Sequence, residues 1–362
     1  MRIKYSLFCV NFYVVIKKPL CYNLISREAE TSTSPSRNRE KAKKENEEMK
    51  KLLHLILVLL MVPTFMAVAV AEDEDLTFAM LIPGVHQFWD PVMTSFKEYC
   101  EAQGWTALTY IPNDAADQVS MVEKLIAMDV DGFAIAATDS DTLTPYINKA
   151  IEAGIKVICF ETDCPNSDRL AYIGTDNYNA GRHMGYVISK FIPEDGSIMI
   201  QTGLPTQLSL QERIRGITEY LAEKTKIAIL DEASNQGDAE TGISIAEQQT
   251  SAFPEFNAYI GIDATAGPAM IKVWKNNGWL GNEDHLIICF DDMEANLIGL
   301  EDGYVTAIVA QRQASWGPGS AKILYDLVKG NALESDYVDT GSIEITMDNF
   351  ATYLDEPSYI EG

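Results

Sequence analysis

Four carboxylates stand directly after short apolar stretches of the sequence. Glu161 and Asp163 follow the stretch 157–160, and Asp263 and Asp291 each follow a similar stretch. Carboxylates accept strong, charge-assisted hydrogen bonds, and one carboxylate can bind two ligand hydroxyl groups. An acid in this position can also cap the turn or helix that follows it. Both interpretations remain open for all four residues, and the two roles can coexist.

Two adjacent aromatic residues, Phe88 and Trp89, follow an apolar stretch at the start of a predicted helix. Aromatic rings stack on the apolar faces of sugar rings, which favours a role in ligand binding. Packing against the core is the alternative for both rings. His86 is suited to a hydrogen bond with a ligand hydroxyl group, and an ordinary position in a surface turn is its alternative.

A predicted helix over residues 207–224 carries two arginines, Arg213 and Arg215. Residues two apart on a helix point to nearly opposite sides, so at most one of the two faces a ligand. The other is expected to form an ion pair at the surface or at a hinge. Gln311 closes the strand predicted over residues 305–310 and is a further candidate for ligand binding.

The motifs of common enzyme classes are absent from the sequence. It contains no G-x-G-x-x-G, Walker loop or nucleophile elbow, and no Ser/His/acid set. Its cysteines form no C-x-x-C pair or Cys/His cluster, and Cys159 and Cys289 are predicted core residues. We therefore predict no catalytic residue, no cofactor and no metal. A secreted glycosidase that uses two of the four acids is the enzymatic alternative.

Strand-like and helix-like patterns alternate from residue 76 onward, and the last strand-like segment covers residues 337–346. Strict alternation predicts βαβ units and an α/β fold with parallel sheets. Ligands bind at the carboxyl ends of such strands, where the four acids stand. The stretch 156–185 is predicted to hold the first crossover between two similar lobes. Because no linker rich in Pro, Gly or Ser separates the halves, we expect short hinge segments and more than one crossing.

The first 71 residues have a different character. Residues 1–48 combine one short apolar patch with a charge-dense run, and we predict a disordered upstream segment that results from start-site choice. Residues 49–71 have the basic start, apolar middle and A-x-A end of a secretory signal peptide, so we expect a periplasmic or extracytoplasmic location. The net charge of −25 disfavours nucleic acid and anionic membranes as partners. We expect a monomer.

Four motifs occur in a characteristic order: FETDCPNSDRLAYIGTDNYNAG, QERIRG, CFDDMEANLIGLEDG and VTAIVAQ. With them, residues 76–346 resemble the periplasmic sugar-binding proteins of the ribose- and galactose-binding type, which are type I periplasmic binding proteins. The resemblance implies two Rossmann-like lobes, each a parallel sheet flanked by helices, joined by a three-strand hinge. The implied first lobe is 76–175 with 312–338, and the second is 176–311 with 339–350.

The resemblance also implies a ligand site. Carried over position by position, it consists of eight residues: His86, Phe88, Trp89, Glu161, Arg215, Asp263, Asp291 and Gln311. Arg213 stands at a neighbouring position that the family also keeps basic, so the choice between the two arginines remains open.

The chain departs from the ribose-type pattern at three places. Glu161-Thr162 replaces an Asp-Arg pair, Asp263 replaces an Asn, and Gly237 replaces an aromatic residue of the second lobe. The expected site is more acidic and lacks a second stacking face. Amino sugars, sugar alcohols and aldoses other than ribose therefore all remain open as ligands.

The resemblance implies a non-enzymatic receptor that encloses a sugar or polyol between its lobes and delivers it to the membrane permease of an ABC importer. Closure around a ligand is a hinge motion in such proteins. A sensory receptor whose closed form binds a chemoreceptor or a sensor kinase is the alternative. A DNA-binding regulator shares this fold, but the sequence has no helix-turn-helix segment and the wrong charge.

Overall fold

The structure is a computed structural model that describes residues 43–44, 47–49, 75–280 and 284–355. Residues 50–71 of the predicted signal peptide, and almost all of the predicted upstream segment, lie outside these residues. No helix in the described ranges is both long and apolar enough to cross a membrane.

Strands and helices alternate from residue 77 onward, as the sequence pattern predicts. The strands are β1 (Thr77–Leu81), β2 (Thr106–Tyr110), β3 (Gly132–Ile135), β4 (Lys156–Phe160), β5 (Tyr172–Gly174), β6 (Ser197–Thr202), β7 (Ala228–Ser234), β8 (Ala258–Gly261), β9 (Leu286–Phe290), β10 (Ala307–Gln311), β11 (Tyr337–Asp339) and β12 (Ser342–Ile345). The helices are α1 (Asp90–Gln103), α2 (Ala115–Met128), α3 (Ser140–Glu152), α4 (Asn177–Phe191), α5 (Leu208–Lys224), α6 (Ala239–Ala252), α7 (Ala266–Asn277), α8 (Glu294–Glu301) and α9 (Gln313–Lys329). Short 3-10 turns cover Gln87–Trp89 and Tyr353–Asp355.

The first sheet has the strand order β11-β5-β4-β3-β1-β2, and all of its neighbouring strands are parallel. Helices α1 and α9 cover one face, and α2 and α3 cover the other. Successive side chains of a strand point to opposite faces. Phe78 and Met80 accordingly pack with Trp316 of α9, whereas Leu81 packs with Val122 of α2.

The second sheet has the strand order β12-β10-β9-β8-β6-β7, in which β12 is antiparallel to β10 and the other pairs are parallel. Ile200 packs with Ile217 on the face covered by α4 and α5. Met199 packs with Met270 and Trp274 on the face covered by α6, α7 and α8. Both sheets belong to one compact unit. The predicted fold class, two largely parallel α/β sheets flanked by helices, is confirmed.

Three connections join the two sheets in the described part of the chain: β5 to α4, β10 to α9, and β11 to β12. They are bonded to each other. The Thr340 amide donates to the Gly174 carbonyl at 2.7 Å, and the Trp316 indole donates to the Thr340 hydroxyl at 3.1 Å. The Asp339 carboxylate accepts from the Asp176 amide at 2.8 Å. The expected short crossings are therefore present and lie side by side.

The prediction of one continuous strand-like segment over residues 337–346 is wrong. The segment forms β11 in the first sheet and β12 in the second, with a turn at Thr340 and Gly341. Gly341 has a φ of 68°, a left-handed conformation that glycine adopts without steric penalty. The Asp339 carboxylate also accepts from the Gly341 amide at 2.7 Å, which stabilises this turn.

The four cysteines in the described ranges are buried free thiols: Cys100, Cys159, Cys164 and Cys289. Cys159 and Cys289 pack in the core, as predicted. Burial raises the pKa of the Cys100 thiol to about 12, so this thiol remains protonated and unreactive at neutral pH.

Helices α4 and α5 approach each other closely at two glycines. A Cβ atom on Gly181 would lie 2.2 Å from the Arg213 carbonyl oxygen, and one on Gly216 would lie 2.2 Å from the Tyr178 carbonyl oxygen. Real Cβ atoms do not come this close to other heavy atoms. The two glycines therefore set the distance between the helices.

Gly216→Ala is expected to lower the free energy of unfolding by roughly 1–3 kcal/mol, because the new methyl group forces the two helix backbones apart. Urea unfolding followed by circular dichroism measures this change. Gly84→Ala is the matched control, since a Cβ there meets nothing within 4 Å. Equal stability of the two variants would show that α4 and α5 tolerate a wider separation.

Candidate functional site

The two sheets direct the carboxyl ends of their strands toward one shared cavity of about 590 Å³. Pro83 and Thr138 reach it from the ends of β1 and β3 in the first sheet, and Gly203 reaches it from the end of β6 in the second. Strand ends of open α/β sheets are the usual place of ligand sites. The cavity therefore lies where the sequence pattern placed a binding site.

Eight of the ten residues predicted for ligand binding line this cavity: His86, Phe88, Trp89, Glu161, Arg213, Asp263, Asp291 and Gln311. Their contact with a ligand stays a prediction. What the structure adds is the set of interactions that holds each of them in place.

Arg213 reaches the cavity from α5 and is only 2% exposed. Its Nε atom donates to the Asn177 side chain at 2.8 Å, and Nη1 donates to the Ile262 carbonyl at 3.1 Å. Nη2 donates to Gln311 Oε1 at 2.8 Å and forms an ion pair with Glu161 Oε1 at 3.3 Å. Glu161 follows a strand of the first sheet, whereas Ile262 and Gln311 belong to the second. One guanidinium group therefore joins the two sheets.

Gln311 extends this network to a second acid. Its Nε2 atom donates to Asp291 Oδ1 at 2.8 Å, while its Oε1 atom accepts from Arg213. A continuous chain of hydrogen bonds thus runs from Glu161 through Arg213 and Gln311 to Asp291. All four side chains are at most 5% exposed, and the low dielectric of such a site strengthens the bonds.

Glu161 and Asp291 both have a left-handed backbone, with φ values of 55° and 70°. This conformation costs about 1–3 kcal/mol in a residue other than glycine. Surrounding bonds hold it: the Glu161 carbonyl accepts from Tyr172 Oη at 2.9 Å and from Asn177 Nδ2 at 3.0 Å. The Asp291 carbonyl accepts from Asn296 Nδ2 at 2.9 Å. Both acids are therefore held at the cavity by their backbones.

Phe88 and Trp89 pack in the core and also line the cavity. Each is 7% exposed and packs in the core beneath the first sheet. The two rings meet edge to face with their centroids 4.8 Å apart, and Trp89 lies 6.1 Å from the ring of Phe160. Both rings also line the cavity. Core packing therefore fixes their orientation, and the remaining part of each ring bounds the site.

His86 and Asp263 are set by local hydrogen bonds. His86 Nδ1 accepts from the Phe88 amide at 3.2 Å, so the proton of the neutral imidazole is on Nε2. Asp263 accepts from Asn235 Nδ2 at 3.0 Å and from the Thr265 amide at 3.2 Å. Asp263 thus caps the turn before α7, whose N-cap position is Thr265, and it also lines the cavity.

Asp291 does not cap a helix through its side chain. The N-cap position of α8 is Met293, which makes no side-chain capping bond. The capping interpretation of Asp291 is therefore wrong, and its carboxylate is directed to Gln311 instead.

Asp163 and Arg215 do not line this cavity. Arg215 lies on the exposed side of α5, where it donates to Glu212 at 2.5 Å and to Glu219 at 3.5 Å. This is the surface ion pair expected for one of the two arginines. The resemblance implied Arg215 as the ligand residue, but the structure places Arg213 at the cavity instead. Residues two apart on a helix face nearly opposite sides, so only one of the two arginines can point there.

Asp163 lies two residues after Glu161 but turns away from the cavity. It forms an ion pair with Arg169, whose Nη2 atom donates to Asp163 Oδ2 at 2.7 Å. It also accepts from the Cys164 amide at 2.7 Å. Asp163 therefore has the turn-capping role that was its alternative.

Two hydrogen bonds between the two sheet regions had no clear signal in the sequence. The hydroxyl groups of Thr162 and Ser209 lie 2.9 Å apart, and the Thr206 hydroxyl donates to the Thr138 carbonyl at 3.1 Å. Each pair joins a loop of the first sheet to the second-sheet side, through Ser209 in the first turn of α5 or through Thr206 just before that helix. Serine and threonine in loops form no distinctive pattern, so the position of Thr162 beside Glu161 was the one available signal.

Burial raises the pKa of Asp291 to about 7, although Arg213 and Gln311 both act in the opposite direction. Nearby Asp292 and Asp263 add to the rise. Burial also raises the pKa of Asp263 and lowers that of His86. The cavity therefore disfavours charge on each of these three groups.

The chain matches the periplasmic binding protein domain over residues 78–332. It is 24% identical over 213 residues to the D-ribose/D-allose-binding protein of Pseudomonas aeruginosa, which covers 56% of this chain and 66% of that protein. It is 23% identical over 257 residues to the xylose/arabinose-binding protein of Sulfolobus acidocaldarius, which covers 67% of this chain and 63% of that protein. The chain thus spans slightly less than two thirds of the length of both relatives.

A solved structure is similar over a larger part of both chains. It is an ABC transporter solute-binding protein from Burkholderia graminis in complex with D-arabinose. The two chains are 29% identical with a TM-score of 0.74, and the match covers 77% of this chain and 98% of that one.

Arg213→Met is expected to lower the free energy of unfolding by roughly 3–5 kcal/mol, because it leaves the Glu161 carboxylate buried without its cation. Arg215→Met is the matched control. Exposed ion pairs contribute about 0–1 kcal/mol, so this variant should remain close to the wild type. Urea unfolding of both variants tests the comparison, and a similar loss in both would contradict the central role of Arg213.

Asp291→Asn is expected to change how stability depends on pH. Because the native pKa of about 7 lies above the usual Asp value of about 3.9, ionisation of Asp291 destabilises the fold. This penalty is absent below about pH 4, grows as the pH rises, and is complete above about pH 7. Each pKa unit corresponds to about 1.4 kcal/mol.

Asparagine keeps the acceptor for Gln311 but cannot ionise. The stability of Asp291→Asn relative to the wild type should therefore increase from about pH 4 to about pH 7 and then level off. Unfolding at several pH values measures this difference. A difference that does not vary with pH would show that Asp291 has an ordinary pKa.

Proposed function

The chain belongs to the family of periplasmic binding protein domains, and on this premise we propose that it is an exported receptor that encloses a sugar or related polyhydroxylated molecule between two lobes. The cavity carries the proposal. Acids, amides, an arginine and two aromatic rings converge there from the strand ends of two sheets. Concave sites with a few placed polar groups beside apolar side chains are typical of small-molecule binding.

The chemistry of the wall favours a polyhydroxylated ligand. Carboxylate and amide oxygens accept hydrogen bonds from hydroxyl groups, and the edges of Phe88 and Trp89 offer an apolar surface beside them. The names of the similar proteins support the same class, since they bind D-ribose and D-allose, xylose and arabinose, or D-arabinose. Water leaves such a site on closure, which strengthens each bond to the ligand.

We place the lobe boundaries at 76–175 with 312–338 and at 176–311 with 339–350. The strand orders and the three bonded connections support this division. In the proposed motion, the lobes separate about these connections and close around the ligand. The bonds from Thr162 to Ser209 and from Thr206 to Thr138 would form on closure.

The proposed activity is binding and delivery, without a chemical reaction. The family consists of binding proteins, and Asp163, one of the four acids that a glycosidase could use, lies outside the cavity. The proposed partner of the closed, monomeric form is the permease of an ABC importer in an extracytoplasmic location. A chemoreceptor or sensor kinase would bind the same closed form, and capture of membrane partners with and without the ligand would distinguish the two.

Titration calorimetry of the purified chain against aldoses, polyols and amino sugars tests the ligand class. A ligand that binds only the folded protein also raises its melting temperature, which provides an independent readout. Saturable binding of at least one of these compounds is expected. Absence of binding by a folded chain would overturn the proposed ligand class.

Asp291→Asn is expected to weaken sugar binding by about 1.5–3 kcal/mol, or roughly 10- to 150-fold in Kd, because it replaces a charged hydrogen-bond acceptor by a neutral one. Asp195→Asn is the matched control, since Asp195 is exposed in the turn between α4 and β6. It should leave the Kd unchanged. An unchanged Kd in Asp291→Asn would remove Asp291 from the ligand contacts.

A further inference from the structure

Acidic side chains outnumber basic side chains in the cavity wall. Five carboxylates line it in the described part of the chain: Asp114, Asp139, Glu161, Asp263 and Asp291. The single lysine or arginine among the described lining residues is Arg213. His86 has its pKa lowered by burial and is neutral at pH 7. One cation therefore faces five acids.

Arg213 is already committed to protein groups. A guanidinium has five N–H groups, and four of those in Arg213 donate to Asn177, Ile262, Glu161 and Gln311. Its ion pair is with Glu161. The charge of Glu161 is thus balanced within the protein, and Arg213 has one N–H group left for a ligand.

Asp263 and Asp291 have only neutral hydrogen-bond donors in the described structure. Asp263 accepts from Asn235 and from the Thr265 amide. Asp291, which is 2% exposed, accepts from Gln311. No described lysine or arginine forms an ion pair with either acid. A buried carboxylate without a cation is unfavourable, and amide dipoles compensate it only in part.

Both acids lie on the second sheet, at the ends of β8 and β9, which are neighbours in that sheet. Both carboxylates line the cavity, and Asp263 contributes to the raised pKa of Asp291. The two acids therefore make up an acidic subsite on the second-sheet side of the cavity. A neutral sugar would supply hydroxyl donors to this subsite but no charge.

We propose that the ligand carries a protonated amine that binds between Asp263 and Asp291, so that its class is an amino sugar or an amino polyol. This inference rests on the proposed function, and it narrows the ligand class for the same cavity. The ammonium group supplies the charge that the protein lacks at this subsite, and its three N–H donors match two carboxylates. The hydroxyl groups of the ligand would then face Glu161, His86 and the remaining N–H of Arg213.

Matched compounds test this on the full wild-type chain. D-glucose, D-galactose and D-sorbitol are compared by calorimetry with D-glucosamine, D-galactosamine and 1-amino-1-deoxy-D-sorbitol at about pH 7, where a primary amine is mostly protonated. D-glucose, D-galactose and D-sorbitol replace the amine by a hydroxyl group of similar size, whereas N-acetyl-D-glucosamine and N-acetyl-D-galactosamine keep the nitrogen as an uncharged, bulkier amide. At least one amine is expected to bind about 10-fold or more tightly than both its hydroxyl and its N-acetyl counterpart.

The outcomes separate the inference from the proposed function. If a neutral sugar binds and every amine binds equally or more weakly, the inference of an amine ligand is overturned. The proposed function as a sugar receptor is then retained. If calcium ions bind and neutral sugars then bind with them, a metal ion rather than an amine balances the acids, and the inference also fails. If nothing binds, both the ligand class and the amine are overturned.

Asp263→Asn locates the subsite. It is expected to reduce the preference for the amine over its hydroxyl counterpart by about 10-fold, since one of the two charged acceptors is lost. Asp195→Asn should leave that preference unchanged. Asp291→Asn serves as the second variant if Asp263→Asn does not fold. A preference that survives in both acid variants would show that the amine binds elsewhere.

Discussion

A buried guanidinium is the constraint on which this site depends. The Arg213 side chain cannot lose its proton, so its burial requires acceptors on every side. Those acceptors come from Glu161 on the first sheet, Asn177 at the start of α4, and Ile262 and Gln311 on the second sheet. Because no single strand or helix offers them all, the charge is stable only when both sheets meet in the arrangement seen here. The close contact of α4 and α5 at Gly181 and Gly216 keeps α5, which carries Arg213, near these acceptors.

The burial of Arg213 also explains why the acids at the cavity have different interactions. Glu161 is an internal counterion, and its left-handed backbone directs it toward Arg213 rather than into solvent. Asp291 is linked to the arginine only through Gln311, and burial dominates its pKa. Glu161 and Asp291 both follow an apolar strand in the sequence. Only Glu161 has a cation as a direct partner. In the proposed function, the balanced acid organises the protein and the unbalanced acids recognise the ligand.

In the proposed hinge motion, hydrogen bonds within the protein and contacts with the ligand would both favour the closed form over the open form. Opening the lobes would break the Glu161–Arg213 pair and the contact of Thr162 with Ser209. A ligand shifts such an equilibrium only by its differential affinity for the closed form. Bonds between the lobes that do not involve the ligand would stabilise the closed form. They would therefore reduce the free energy that ligand binding must provide for closure. The three short connections, bonded to each other through Thr340 and Asp339, would limit the proposed motion to bending about one edge.

The sequence by itself determined the alternation of strands and helices, the parallel sheets and the strand ends at which polar groups gather, because hydrophobic periodicity reflects which face of each element is buried. It could not choose between Arg213 and Arg215, exclude Asp163 from the cavity, or predict the turn at Thr340 and Gly341 that separates β11 from β12. Those outcomes depend on contacts between residues far apart in the chain, such as Arg213 with Gln311. Only the tertiary structure decided them, since the free energy of a buried charge is set by the partners that the whole fold brings to it.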